Sequence, residues 1–377
     1  MTVGAGVGAG VGAPAGVRVF AGPCRYVQGP GALDRLGAYV RTDGATGGAT
    51  GAAVLIDGAL FHALSSRVLR ALSEANVAAT VIACTGEVTA ERIAALAEQT
   101  RTLEPAVVVA VGGGKTLDTG KGVARVLGLR VVTVPTIASN DGPTSRIIAT
   151  YDDRHQLVAT PQMAENPEAV VVDTELVSRA PAHFLRSGIG DALAKRFEAA
   201  ACRAGTGVTP NGTRPLELAG AIADACYRTL LADGAAALAS VERDEVSPAL
   251  ERVVEAVVLM SGLAFENGGL SLAHSMTRGL MAVPGARDRL HGLQVAYGLL
   301  VQLVHEGDRH AYREVDAFHA ATGLPRALGD LGAEPGPAVM GAVAEATLRA
   351  PHLANCVPVP DRASLVAAME EVERSWT

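Results

Sequence analysis

The run AVVVAVG, Ala106–Gly112, has no polar side chain to offer water on either face. A strand of that kind has to be covered on both sides, as in the middle of a parallel sheet. Four further runs read as strands: AAVLID (Ala52–Asp57), VAATVIAC (Val77–Cys84), RVVTVPT (Arg130–Thr136) and AVVVDT (Ala169–Thr174). Helix-like segments separate them, as in ALSSRVLRALSEAN (Ala63–Asn76). This alternation predicts an α/β domain with a parallel sheet. After about residue 180 the strand signal nearly vanishes, and stretches such as GAIADACYRTLLADGAAALASV and ALERVVEAVVLMSGLAF predict an all-α second domain. The expected organisation is a glycine-rich flexible leader over residues 1–16, a sheet-bearing domain over 17–180 and a helical domain over 181–377.

A chain of 377 residues that is 49% hydrophobic has material for two cores, and with aromatics at 3% those cores must be aliphatic. The net charge of −7 argues against nucleic acid as a partner, because phosphate binding needs a positive surface. No apolar run reaches the roughly 20 residues that cross a bilayer. Cys24, Cys84, Cys202, Cys226 and Cys356 are scattered and never spaced as CxxC, which fits reduced thiols in a cytoplasm. The opening MTVGAGVGAGVGAPAG lacks the basic start of a signal peptide, and RTDGATGGATGAA (Arg41–Ala53) reads as a flexible loop. Of 32 basic residues only Lys115, Lys121 and Lys195 are lysines, and each lies in a stretch that attracts notice on other grounds.

The first such stretch is AVVVAVGGGKTLDTGKGVAR: a strand, a glycine turn, then a helix-like segment. Gly112, Gly113 and Gly114 let the backbone approach a ligand, and the free N–H groups of the following helix suit a pyrophosphate. Lys115 could add a point charge, and Asp118 could orient a ribose hydroxyl or the nicotinamide end. The motif is not GxGxxG, and a tight βα turn accounts for the same glycines. Asp57, at the end of an early strand, can accept from a ribose diol and would repel a 2′-phosphate, which favours NAD over NADP; a lone Asp there also forms turns. VPTIASNDGPTS (Val134–Ser145) gathers Thr136, Ser139, Thr144 and Ser145 at another strand's end, with Ile147 and Tyr151 able to pack along a nicotinamide. Asp141 is placed to meet a substrate polyol, unless NDG only closes an Asx turn.

SGIGDALAKRFEA (Ser187–Ala199) sets Asp191 at the apparent start of a helix, where a carboxylate either caps N–H groups or binds a metal. His274 (FENGGLSLAHSMTRGLM) and His291 (RLHGLQVAYGLL) lie on helix-like stretches joined by the turn VPGARD. Two such imidazoles and one carboxylate form the three-ligand set of a catalytic zinc, with the fourth position open. A single histidine on an apolar helix is more often a satisfied core residue. The remaining histidines are assigned no role.

GGGKTLDTGK, VPTIASNDGPTS, GIGDALAKRFEA and the His274/His291 pair occur in the order of one family, as do RYVQGPGALDRLGAYV near the start and HLANCVPVP near the end. Together they resemble the glycerol dehydrogenases of the iron-containing alcohol dehydrogenase and dehydroquinate synthase-like superfamily, over nearly the whole chain. The resemblance implies a Rossmann-like NAD-binding domain, a helical metal-binding and substrate domain, and an active site in the cleft between them. It implies Asp191, His274 and His291 as zinc ligands, Asp141 as the substrate-binding aspartate, and NAD contacts at Asp57, Gly113, Gly114, Lys115, Thr116, Leu117, Asp118, Thr136, Ser139, Ser145, Ile147 and Tyr151. Iron-dependent relatives often carry a further histidine four residues after the aspartate; that position here is Lys195, which favours zinc over Fe2+. Arg146 and Arg196 depart from the family pattern, and either could enter the substrate cleft and change the preferred alcohol, so their roles stay open; the loop at 41–53 departs as well.

The expected reaction is reversible oxidation of a secondary alcohol in glycerol or a related small polyol or cyclitol, with metal-assisted loss of the hydroxyl proton and hydride transfer to NAD. A cytoplasmic homo-oligomer is expected, with no membrane partner. One alternative is a carbocycle-forming lyase of the dehydroquinate synthase type using NAD and a divalent metal. Such an enzyme needs several cations around a substrate phosphate, and its first metal ligand is typically Glu rather than Asp. A second alternative is a member that binds nucleotide without catalysis.

Overall fold

The computed structural model describes residues 16–40, 51–152 and 157–374. The expected leader, Gly16 apart, and residues 41–50 of the glycine-rich loop lie outside them. The strands are β1 (Tyr26–Gly29), β2 (Ala52–Asp57), β3 (Ala79–Cys84), β4 (Val107–Gly112), β5 (Arg130–Pro135), β6 (Thr150–Tyr151), β7 (Leu157–Ala159) and β8 (Ala169–Asp173). Six of them form a parallel sheet in the order β1-β8-β5-β4-β2-β3, while β6 and β7 pair antiparallel by themselves.

Side chains alternate across the sheet and feed two aliphatic cores. Val54, Ile56, Val109 and Val111 face helix α1 (Phe61–Ser73) and the short 3-10 segment Ala32–Tyr39. Leu55, Val108 and Val131 face α2 (Ala90–Arg101) and α3 (Gly114–Leu127). From β2 the chain moves outward to β3 and then returns across β2 to β4. The winding reverses between β2 and β4, and open parallel sheets bind ligands outside the strand ends at such a point. Asp57 ends β2 there and Gly112 ends β4, with Gly112 in register with Pro135 of β5.

Beyond β8 the described residues contain helices and no strand: α4 (Thr174–Ser178), α5 (Ala182–Ala204), α6 (Glu217–Val241), α7 (Pro248–Glu255), α8 (Ser261–Gly268), α9 (Leu272–Leu280), α10 (His291–Glu306), α11 (Arg309–Thr322), α12 (Pro337–Thr347) and α13 (Arg362–Arg374). A π turn, Ala256–Met260, joins α7 to α8. Their shared core is again mostly aliphatic, with Tyr227 and Tyr297 fully enclosed. The fold class is the expected one, an α/β sheet domain followed by an all-α part. Strand β1, helix α2 and the β6–β7 hairpin were not among the expected elements.

Helix α5 corrects one expectation. It begins at Ala182, so Asp191 stands mid-helix and caps nothing. The glycines that look like a helix start are there for packing. A Cβ on Gly188 would strike the Ala138 carbonyl, and one on Gly190 would lie 2.6 Å from the Gly292 carbonyl. Each interior glycine costs roughly 1 kcal/mol of helix propensity relative to alanine, a loss the close packing offsets. No helix among the described residues is long and apolar enough to cross a membrane. All five cysteines are unpaired.

Candidate active site

Three helices converge on one point. Asp191 comes from the middle of α5, His274 from the first turn of α9 and His291 from the first residue of α10. One ligand atom from each lies within 4.8 Å of the others. Asp191 Oδ1 and His274 Nε2 are 3.1 Å apart, and the two imidazole centroids are 5.3 Å apart. This is a donor set a divalent ion could use, one ligand short of a closed four-coordinate zinc site.

The orientation of His274 is set by Glu198, a residue the sequence reading left without a role. Glu198 Oε1 accepts from the Ser271 and His274 backbone N–H groups at 2.8 and 3.0 Å, which anchors the start of α9. Its Oε2 accepts from His274 Nδ1 at 2.6 Å. With Nδ1 donating to Glu198, Nε2 is turned towards Asp191, the orientation in which a neutral imidazole ligates a metal. Burial disfavours the His274 imidazolium, but Glu198 raises the ring's proton affinity above the ordinary histidine range, which strengthens Nε2 as a donor to a cation.

Asp191 is 1% exposed. Burial works against its charge, yet the Lys195 ammonium and His274 hold it far below the usual carboxylate range. His291 keeps part of its surface exposed, yet the protein packed around its ring, together with His274 and Lys195, lowers its pKa to about 4. It is therefore neutral and able to ligate near pH 7.

Asp141 closes the site from the sheet side. The Asx turn in NDG belongs to Asn140, whose Oδ1 accepts from Gly142 N at 3.0 Å, and this leaves the Asp141 carboxylate free to turn inward. Its Oδ2 accepts from Ser261 Oγ at 2.9 Å and lies 3.2 Å from Lys195 Nζ. Ser261 follows directly on the π turn, which aims it at Asp141. Burial raises the Asp141 pKa, against the pull of Lys195.

The nucleotide end lies at the strand edge. Gly112 has φ +157°, and a Cβ there would sit 2.9 Å from the Asp57 side chain and 2.8 Å from that of Thr116. Thr116 Oγ1 donates to Asp57 Oδ2 at 3.3 Å, and both border a crevice of about 230 Å³ with Gly58, Thr85, Gly86 and Lys115. Gly113 caps α3, so the helix N–H groups of Gly114 onward face the same edge; Leu117 is buried beneath them. Lys115 pairs with Glu87 at 2.8 Å. Asp118 is engaged within the protein, accepting from Ala149 N at 3.0 Å and pairing with Lys121 at 2.6 Å.

Lys121, also without an assigned role in the sequence reading, is fully buried. It donates to the carbonyls of Gly142, Ser145 and Ile147 at 3.0, 3.3 and 2.6 Å. That fixes the loop carrying Asp141, Ser145 and Ile147 against α3. Thr136 is buried beside Gly112, whose carbonyl accepts its N–H; Ser139 accepts from Ser187 Oγ through its own carbonyl. Tyr151 is half-buried, its phenol pushed up to about 12 by burial and by Asp118 and Glu87.

The two arginines are each engaged by protein groups. Arg196 turns onto α6, with its guanidinium 4.5 Å from the Tyr227 ring and 3.0 Å from Asp224. The α-helical advance between Lys195 and Arg196 carries it off the face that holds the site. Arg146 is held by Asn211 at 2.7 Å, with Glu266 at 3.4 Å.

The profile of the iron-containing alcohol dehydrogenase family matches residues 27–181. A glycerol dehydrogenase of Escherichia coli is 38% identical over 331 residues, covering 87% of this chain and 89% of that one. The chain belongs to the iron-containing alcohol dehydrogenase family. A glycolaldehyde reductase of Halobacterium salinarum is also 38% identical, over 83% of this chain and 85% of that one. The crystal structure of a probable glycerol dehydrogenase from Sinorhizobium meliloti superposes with a TM-score of 0.86 at 36% identity, covering 95% of this chain and 99% of that one. In this family NAD and a divalent metal are expected, and the three-helix cluster and the Gly112 turn are chemically suited to them.

Proposed function

We propose that this chain oxidises a secondary alcohol of glycerol or a related small polyol or cyclitol, with NAD as hydride acceptor and a zinc ion held by Asp191, His274 and His291. As a member of its family the chain is an NAD-dependent alcohol oxidoreductase. The observation that carries the site assignment is the convergence of Asp191 Oδ1, His274 Nε2 and His291 beside Asp141. Two imidazoles and one carboxylate suit zinc, and the charged Lys195 offers no lone pair that would complete an iron-type set.

A divalent ion held there supplies Lewis-acid stabilisation for negative charge developing on an alcohol oxygen. The protein's own groups do the rest. Glu198 keeps His274 in the ligating tautomer. Asp141 accepts from a second hydroxyl of the substrate and so orients a diol. Asp57 takes the ribose diol, while Gly113, Gly114 and the free N–H groups of Lys115 and Thr116 take the pyrophosphate; Leu117, whose N–H is spent on the Gly113 carbonyl, and Asp118 support that turn. Thr136, Ser139, Ser145, Ile147 and Tyr151 border the nicotinamide end. We further propose a cytoplasmic homo-oligomer. Lys121 and Lys195 spend their charge inside the protein, which weighs against a phosphate-eliminating lyase.

The test is a substrate screen that follows NADH absorbance on zinc-loaded protein, with metal content measured on the same sample. Vicinal diols such as glycerol should reduce NAD. A zinc-loaded sample that reduces NAD with no diol or cyclitol ends this reading, and phosphate release without net NADH would replace it with the lyase.

A further inference from the structure

Lys195 is the most unusual group in the site. Its ammonium lies 2.5 Å from Asp191 Oδ1, 3.0 Å from His274 Nε2 and 3.2 Å from Asp141 Oδ2. An ammonium has three N–H donors, and here each has an acceptor. Two of those acceptors are the atoms assigned to the metal, and they lie only 3.1 Å from each other. In the neutral ring with its proton on Nδ1 towards Glu198, Nε2 and the Asp191 carboxylate are both acceptors, and Lys195 Nζ lies within hydrogen-bond reach of each. Both look towards one cation, and that cation is Lys195. The group is 1% exposed, with the Phe265 ring 5.9 Å away.

Resting on the metal-centre reading above, we propose that Lys195 is a resident counter-cation of that centre. Its ammonium and the divalent ion compete for Asp191 and His274, so the ion binds by exchange.

The charge balance explains why such a group is useful. Asp141, Asp191 and Glu198 are all buried in a small volume. Three buried carboxylates without a cation would repel each other and destabilise the fold. Lys195 offsets part of this charge before any ion arrives, so the metal-free protein keeps its shape. A divalent ion that takes Asp191 Oδ1 and His274 Nε2 displaces the ammonium from both. Asp141 remains within its reach, held from the other side by Ser261. Loading the metal therefore transfers Lys195 to the residue proposed to orient the substrate. A compact point charge on a flexible stem can make this move; the planar fork of an arginine would not fit between the two ligand atoms. That accounts for lysine in a chain that otherwise uses arginine almost throughout.

The test compares wild type with Lys195→Met and Lys195→Gln, the second keeping hydrogen-bonding groups in case the first does not fold. Zn2+ affinity is measured by competition with a chromophoric chelator, and thermal midpoints are taken with and without EDTA. With the competing charge removed, both variants should bind Zn2+ more tightly by roughly tenfold or more. Their metal-free forms should melt several degrees below metal-free wild type. Equal or weaker Zn2+ binding in a folded variant overturns the exchange while leaving the metal centre intact. If neither wild type nor variants bind Zn2+ stoichiometrically, the metal-centre reading itself falls and takes this one with it.

Discussion

Glu198 does two things with one carboxylate: it anchors the first turn of α9 and fixes the His274 tautomer. Glu198→Gln keeps the size but turns one oxygen into a donor, which then faces either a backbone N–H or Nδ1–H. Zn2+ affinity should fall by about 10- to 100-fold, read by chelator competition, while the protein stays folded. Unchanged affinity would mean that His274 is oriented without help from Glu198. The proposed ligands were legible because Asp191, His274 and His291 are chemically conspicuous among small apolar residues. Glu198 was harder to see, since a carboxylate late in a helical stretch looks like an ordinary solvated residue. The signal was nonetheless present: Asp191, Lys195 and Glu198 recur at helical spacing on one face of α5. Lys121 stood out only by its rarity, because three carbonyl acceptors from one loop leave no mark in sequence.

Among the elements, the crossing of α5 and α10 does most to build the site. Gly190 and Gly292 meet there, and a Cβ on Gly292 would run into the Ser187 backbone carbonyl. The absence of side chains brings the two backbones together, and this sets His291, the residue before Gly292, beside Asp191. Gly292→Ala should force the helices apart, costing about 1–3 kcal/mol in urea unfolding, and should lower zinc content. Gly329→Ala, where an added Cβ meets nothing within 4 Å, is the control and should change neither. Zinc content kept at full stoichiometry in Gly292→Ala would show that the crossing distance is not what positions His291. The same packing explains why SGIG misled the reading of α5: glycine in sequence signals a helix boundary and a close helix contact equally well. Strand β1 escaped notice for a different reason. YVQG is short, half-buried throughout and at the edge of the sheet, so it shows neither an apolar run nor a clear alternation. The interior strands were legible because burial on both faces makes them nearly continuous apolar runs.

At the scale of the whole molecule, the two-part architecture follows from the pattern of hydrophobic residues alone, whereas the meeting of the parts does not. The sheet half carries Asp57, the Gly112 turn and the Asp141 loop; the helical half carries the Asp191–His274–His291 cluster and Glu198. They are tied close to the site itself, by Ser261 to Asp141, by Thr144 Oγ1 to the Val258 carbonyl at 3.2 Å and by Asn166 to Glu266 at 2.5 Å. Such long-range pairs depend on the finished fold and leave no local signature. The division has a functional consequence. If the nucleotide is held by the strand edge and the metal by the helices, loss of one ligand should disable chemistry and spare nucleotide binding. His291→Ala is the suitable probe, because His291 is exposed and Asp191 keeps Lys195 as its partner when the ring is removed. NADH affinity, followed by the fluorescence of the bound dinucleotide, should stay within about twofold of wild type, as for separated sites. The kcat for diol oxidation should drop by at least about a hundredfold, the scale expected when Lewis-acid stabilisation is lost. A parallel fall in NADH affinity would mean that the metal helices hold the cofactor too, and that the two halves act as one binding unit.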